Sequence, residues 1–358
     1  MSKCFCDDFI CENVLFFCRG SIVTVRGQIR VYFEYSMLGL VKKTIYPVGI
    51  ELGRKELKMA QLGLSGGGVY LHAAVTDTVP EDVEFGNAKW QRWAVSSISE
   101  MIGHGQFFGK EVIAAIPADD IFIEQFKISG SGSGNIDKDI REKMAGKLPF
   151  DLSDGIIKYV SSTGASGKGN VEVVVMAADR CNVDRQLAIY ENAGLSVKGI
   201  GVWPMAMTNC YIHFFGRRVS DAKTVSMLMT VDHDSSNIVI CKHTEILFAR
   251  TIPIGVVHFN RTEMVTRLMS EIDACCRYFE SIYSEIHVER LVFFSGRSIN
   301  ESVCEKISEL AQRIHVPAQI GDVLAAVDTD ENKHFGVDRR GSEVDWSLAF
   351  GLSLSGGD

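Results

Sequence analysis

Two acidic turns hold the residues in this chain whose types and spacing could do chemistry. The first is Val48-Gly49-Ile50-Glu51-Leu52-Gly53, continued by Arg54-Lys55-Glu56-Leu57-Lys58-Met59-Ala60. The second is Val231-Asp232-His233-Asp234-Ser235-Ser236-Asn237-Ile238-Val239-Ile240. In each, an apolar strand runs into an acid, a tight turn of small or polar residues follows, and a second apolar strand leaves. Such a turn can aim backbone N–H groups at a phosphate while its carboxylate holds a water on a bound Mg²⁺. One acid-plus-glycine turn is common. Two of them, about 180 residues apart, point to a duplicated domain with one site between the halves.

Other reactive sets weaken on inspection. Gly164-Ala165-Ser166-Gly167-Lys168-Gly169 looks like a phosphate loop, but it lacks the first glycine at the required spacing and a hydroxyl after the lysine. It reads as a hairpin loop. His233 lies between Asp232 and Asp234, yet adjacent residues at a strand end point in different directions. It reads as a turn histidine satisfied by water. Cys4, Cys6, Cys11 and Cys18 are separated by one, four and six residues, which is not the paired knuckle spacing of zinc sites. Cys275-Cys276 lie on an expected helix, with one thiol in the core. No Ser/His/Asp or Cys/His set has supporting context.

The elements that must position the two turns follow from length and patterning. At 358 residues, 46% hydrophobic and 23% charged, the chain has enough apolar content for two domains or subdomains with a sizeable core. A net charge of −8 argues against a nucleic-acid surface, and Arg217-Arg218 and Arg339-Arg340 read as solvated loop charges. No apolar run reaches the roughly 20 residues needed to span a bilayer. With ten cysteines and no signal peptide, reduced thiols are the default.

Strands are expected at 46–52, 57–63 and 69–75, a helix over 90–102, and strands at 111–116 and 121–128. The Ser/Gly run 129–134 is a loop because patterned structure resumes at once. A helix over 137–146 and strands at 156–162 and 171–177 follow, then a helix capped by Asn182 and ended at Gly194. From Asp221 a second half opens, with strands at 224–231, 237–242 and 246–254. Val265, Leu268, Met269, Ile272, Cys276, Phe279 and Ile282 keep helical spacing over 262–284. A strand at 290–294, the turn Ser295-Gly296-Arg297 and a helix over 301–314 complete it. Residues 1–36 lack clear periodicity and are expected to be an extension outside the core fold.

This order resembles the actin-like ATPase fold, and particular motifs narrow the resemblance. Met37-Leu38-Gly39-Leu40-Val41-Lys42-Lys43, followed by Val48-Gly49-Ile50-Glu51-Leu52-Gly53, resembles the start of the PilM family of type IV pilus assembly proteins, relatives of FtsA. Lys147-Leu148-Pro149-Phe150-Asp151-Leu152, Asn192-Ala193-Gly194-Leu195, Leu247-Phe248-Ala249-Arg250-Thr251-Ile252-Pro253-Ile254-Gly255 and Ala349-Phe350-Gly351-Leu352 are similar to later family segments in the same order.

The resemblance implies an α/β chain of duplicated ribonuclease-H-like subdomains with a small α+β insert. It divides the chain into 1–36 as an extension, 37–118 and 199–220 as the first subdomain, 119–198 as the insert, 221–340 as the second half, and 341–358 returning to the first. By matching motif, it assigns Glu51, Gly53 and Lys58 to the first phosphate loop, and Asp232, Asp234 and Gly255 to the second. Ser295, Gly296 and Arg297 become the adenosine-side turn, with ATP and Mg²⁺ as the implied cofactors.

Departures stand beside these matches. Glu51 replaces an aspartate, and Arg54-Lys55-Glu56 replace small hydroxyl residues. Asp234, Arg297 and Val256 stand where glycines are usual, against close backbone approach to a phosphate. The expectation is therefore a scaffold with a degenerate cleft rather than an enzyme, cytoplasmic and peripheral to the inner membrane. The implied partners are the tail of a PilN-like inner-membrane protein, pilus motor components and further copies of the chain. In the family, the tail lies between the first large subdomain and the insert. The alternative is a working ATPase or kinase-like enzyme of the same fold. A third reading, an FtsA-like membrane polymer, would expect an amphipathic C-terminal helix in place of Leu352-Ser353-Leu354-Ser355-Gly356-Gly357-Asp358.

Overall fold

The computed structural model describes residues 44–66, 68–129, 136–162, 170–283, 285–296, 301–329, 337 and 342–356. The expected extension 1–36, its four cysteines, the loop 164–169, Arg339-Arg340 and Arg297 lie outside the described residues.

The described part begins with strands β1 (Thr44–Leu52), β2 (Glu56–Ser65) and β3 (Gly68–Thr78), then helix α1 (Ala88–Gly103) and strand β4 (Glu111–Ala115). Next come β5 (Ile121–Ser129), α2 (Ile136–Met144), β6 (Gly155–Ser162), β7 (Asn170–Asp179), α3 (Arg180–Asn192), β8 (Ser196–Gly201) and α4 (Trp203–Phe214). The second half holds β9 (Val225–Val231), β10 (Ser236–Lys242), β11 (Glu245–Ile252), α5 (Thr262–Ile282), β12 (Arg290–Phe294), α6 (Glu301–Arg313), β13 (Ala318–Gly321) and α7 (Val323–Ala326). The chain then returns through β14 (Asp328–Thr329) and ends its regular structure in α8 (Ser347–Leu354).

The described residues form three sheets. The first has the order β14-β3-β2-β1-β4-β8, the second β11-β10-β9-β12-β13, and the third β5-β7-β6. The first and second open alike, with three antiparallel strands and then a parallel neighbour. Along β2, β9 and β10 most residues are buried, as are Val48 to Ile50 in the middle of β1, because helices cover both faces of each sheet. In the first sheet Ile50, Leu57 and Met59 pack with Trp90 and Ile98 of α1. Its other face packs with Met207 of α4 and Phe350 of α8. In the second, Met229 and Ile238 pack with Leu268 and Phe279 of α5, while Leu228 and Val239 face the α4 side. Helix α4 is therefore apolar nearly all round, as a helix wedged between two sheets must be.

The β1–β2 ladder breaks register between Ile45 and Val48, at Pro47, which has no N–H to donate. Ser353 of α8 repairs the gap. Its hydroxyl donates to the Pro47 carbonyl at 2.8 Å and accepts from the Leu62 N–H at 3.0 Å. Buried Gln61 also bonds the Tyr46 carbonyl at 2.9 Å. The third sheet carries α2 on one face, through Ile140 and Met144, and turns its other face to the larger core.

Local corrections arise. Asp179, not Asn182, caps α3, because its carboxylate accepts from Cys181 N–H at 2.8 Å. Asn182 sits inside the helix and donates to Asp120 at 3.1 Å. Both Cys275 and Cys276 are buried, not one of them. Helix α5 ends at Ile282, before the expected 284. Among the described residues no helix is long and apolar enough to cross a membrane.

Candidate functional site

Each acidic turn closes a hairpin. In the first, Gly53 N–H donates to Glu56 carbonyl at 2.9 Å, and the register sets Glu51 directly opposite Lys58. In the second, Asp232 N–H donates to Ser235 carbonyl at 2.8 Å, and Ser236 opens the return strand opposite Val231.

Lys58 is 3% exposed and its ammonium lies 3.2 Å from Glu51 Oε1. It also feels Glu56, Asp232 and Asp345. The structure thus brings Glu51, Lys58 and Asp232 together from two hairpins far apart in sequence. Partial burial is the largest influence on each carboxyl, and one lysine cannot offset three half-buried acids. Glu51 is pushed up to about 8 and Asp232 to about 6, with Lys58 pulling both down and neighbouring acids pushing both up. Asp345 is raised for the same first reason. Burial disfavours the charged lysine, but Glu51 and the other acids outweigh it and hold Lys58 protonated. Glu51 Oε2 is buried with no hydrogen-bond partner, whereas Asp232 Oδ2 accepts from Asn237 at 2.9 Å.

Asp345 was not anticipated from the sequence. It accepts from both the backbone N–H and the hydroxyl of Ser347 at 2.9 Å, fixing the entry to α8. An acid two residues before a helical serine is the local signal for such a turn. Its place beside Lys58 depends on a chain return that no local pattern encodes.

The remaining expected residues fall around this cluster. Arg54, in the first turn, pairs with Asp119 at 2.5 Å and lies over the Phe85 ring at 4.7 Å. Asp234 stays half-exposed, paired with His233 Nδ1 at 2.6 Å, so this histidine has a protein partner rather than only water. Gly255 lies against the second turn. A Cβ there would stand 2.4 Å from Asp232 O and 2.5 Å from His233 O. Val256 and Val257 donate to those same carbonyls at 2.9 and 3.0 Å. Ser295 and Gly296 follow β12, and a Cβ on Gly296 would stand 2.3 Å from the Glu343 carbonyl carbon. Among the described residues, no three His, Cys, Asp or Glu side chains are grouped to hold a metal ion directly.

No protein-family model matches the chain, and no curated protein matches it. Among solved structures it is similar to the PilM-PilN type IV pilus biogenesis complex, with a TM-score of 0.70 at 17% identity, covering 87% of this chain and 99% of that one. The fold is that of the actin-like ATPases. This likeness in fold agrees with the resemblance to the PilM family in the sequence motifs. Remoter likenesses are to the ethanolamine utilization protein EutJ from Carboxydothermus hydrogenoformans, at TM-score 0.46, 11% identity and 87% and 90% coverage. The cytoplasmic domain of EpsL, an inner membrane component of the type II secretion system of Vibrio cholerae, follows at 0.42, 12% identity and 79% and 98% coverage.

Proposed function

We propose that this chain is a PilM-like cytoplasmic scaffold of a type IV pilus or related envelope machine. It holds the cytoplasmic tail of a PilN-like inner-membrane protein, stays peripheral to that membrane through its partners, and has a degenerate nucleotide cleft. On this reading residues 119–198 form the inserted subdomain and 221–340 the second half, with 37–118, 199–220 and 341–358 making the first.

The observation that carries the reading is the Glu51–Lys58 pair. A Mg²⁺-bound water would have to compete with a covalently tethered ammonium 3.2 Å from the Glu51 carboxyl. The close approaches at Gly255 and Gly296 point the same way, since both are made to this chain's own backbone. These residues do not suit Mg-ATP.

One observation favours the second reading, retained nucleotide binding: Glu51 Oε2 is an unpaired acceptor. Titration calorimetry of the full chain with Mg-ATP decides between the two. Scaffold-only function predicts a dissociation constant weaker than about 1 mM, or about −4 kcal/mol. Micromolar binding, about −8 kcal/mol, establishes the second reading instead. The partner claim has its own assay, in which a synthetic PilN-like cytoplasmic tail binds the full chain. Failure to bind removes the scaffold role whatever ATP does.

A further inference from the structure

The dibasic pair Arg217-Arg218 lies on the loop 215–224, which joins α4 to β9. Arg217, Arg218, Val219 and Ser220 are exposed in an unbroken row, which places them on a projecting tip. Val219 is 91% exposed, more than any other large apolar side chain among the described residues. Exposed Lys223 adds a third cation to the same turn. One bare valine is ordinary on a surface. An apolar tip flanked by three cations, on a chain of net charge −8, is a local exception to the charge of the whole molecule.

The loop is held from within by its own acid. Asp221 is buried, and its carboxylate accepts from the Arg218 N–H at 3.0 Å and from Arg290 at 2.7 Å. Asp221 N–H donates to the Arg218 carbonyl at 2.9 Å, and Thr224 N–H to the Asp221 carbonyl at 3.1 Å. At the other end, the N–H groups of Phe215 and Gly216 both donate to the Tyr211 carbonyl at 2.8 Å. The backbone is thus fixed before any contact, so the tip loses little freedom on docking. Arg290, from outside the loop, balances Asp221. The side chains of Arg217, Arg218 and Lys223 have no carboxylate partner among the described residues. Arg217 donates to the His213 carbonyl and lies 5.7 Å over the Phe214 ring, which holds it at the end of α4 without neutralising it. The exposed acid at the base of the loop, Glu289, accepts from the Val225 N–H at 3.1 Å and is outnumbered by the three cations.

These features narrow the partner. A folded acidic protein would need a pocket for Val219 and a fixed carboxylate opposite each cation. A bilayer with anionic headgroups needs neither, because its phosphates move to meet the charges and its acyl boundary takes any apolar tip.

We propose that loop 215–224 docks directly on an anionic lipid bilayer. Val219 enters the boundary between headgroups and acyl chains, and Arg217, Arg218 and Lys223 pair with lipid phosphates. None of these residues belongs to the Glu51–Asp232 cleft. The scaffold role assigns membrane association to partners, whereas this contact is made by the chain itself and is tested with no partner present, so either can fail without the other. Each basic residue near an anionic surface raises partition about fivefold, or about 1 kcal/mol. Three give roughly a hundredfold preference over a neutral bilayer.

Flotation of the full chain with vesicles reads the contact. One set is phosphatidylcholine alone, the other phosphatidylcholine and phosphatidylglycerol in equal parts. Binding should need phosphatidylglycerol and fall steeply as salt is raised. Amides of 215–224 should exchange more slowly on the anionic vesicles. Arg218→Gln with Lys223→Gln should weaken binding about 25-fold. Lys138→Gln with Arg267→Gln removes the same charge from exposed sites on α2 and α5, and should leave binding within about twofold. Val219→Ser should weaken binding about threefold, by the apolar area withdrawn from the interface. Val219→Trp should strengthen it at an unchanged melting temperature, a gain that misfolding of the charge variant cannot imitate. Equal flotation with both vesicle types overturns the proposal, and so does equal binding by the two charge variants. Protection confined to segments outside 215–224 also ends it. Binding that both Val219 variants leave unchanged, and that soluble polyglutamate displaces, would assign the cations to an acidic protein instead. Displacement by millimolar glycerol 3-phosphate would make the loop a site for free phosphate, which overturns the lipid contact equally.

Discussion

Lys58 is a single cation among Glu51, Asp232 and Asp345, and this imbalance sets how the residue cluster responds to pH. Glu51 in the folded chain titrates near 8, above its ordinary value of 4.5. As pH rises through that interval, the unfolded chain releases a proton that the folded chain keeps. The folded state then binds more protons, so stability falls with rising pH and levels off above about 8. Asp232, raised to about 6, adds to the lower part of the same window. Glu51→Gln should flatten most of this slope, by an amount on the order of a few kcal/mol, in urea unfolding followed from pH 5 to 9. An unchanged slope would place the titration elsewhere. Lys58→Met is expected to act oppositely. It leaves half-buried acids without the cation that lowers them, so the loss of stability with rising pH extends beyond pH 8, costing about 3–5 kcal/mol at pH 9 and less at pH 5. The same midpoint measurements check it. At this scale the sequence was informative about which residues meet, because an acid before a glycine turn marks Glu51, and Asp232 repeats the pattern. It was silent on their charge state, since that depends on Asp345 arriving from the far end of the chain.

At the scale of elements, the tightest joint is where α8 meets β1 and α4. A Cβ on Gly49 would stand 2.0 Å from the Ala349 carbonyl oxygen, and one on Gly351 would stand 1.9 Å from that of Ala206. These are backbone-to-backbone approaches, with no flexible side chain to yield. Gly351→Ala should therefore destabilise by about 1–3 kcal/mol or more, read as a lowered urea midpoint with unchanged slope. A midpoint equal to that of the parent chain would mean α8 slides at little cost. The two helices at this joint are also those that pattern reading left unassigned. Helix α4 and helix α8 are buried on nearly every side, so neither shows the polar face that gives an amphipathic helix its period. Helix α5, by contrast, keeps one apolar stripe and was readable almost to its ends. The short pieces β13, β14 and α7 were likewise unreadable, since their pairing comes from the sheets they join.

For the whole molecule, α4 makes one structure out of two sheets. Met207 is fully buried in the cluster that includes Leu62 of the first sheet and Val239 of the second. Met207→Ala should cost about 2–5 kcal/mol. It should loosen both sheets together, with hydrogen exchange rising in β2 and β10 by the same factor. Exchange rising in one sheet alone would show that the halves unfold independently. The closing of the first sheet also has an order in time. Strand β1 begins at Thr44, while the helix that covers it begins at Ser347. At synthesis rates of 5–20 residues per second, roughly 15–60 s separate them. Throughout that interval the gap at Pro47, which Ser353 will repair, stays unfilled on the nascent chain. The first-made of the described strands is thus the last to be finished, and a chain broken off before Ser347 leaves the ribosome with that face bare to chaperones and proteases.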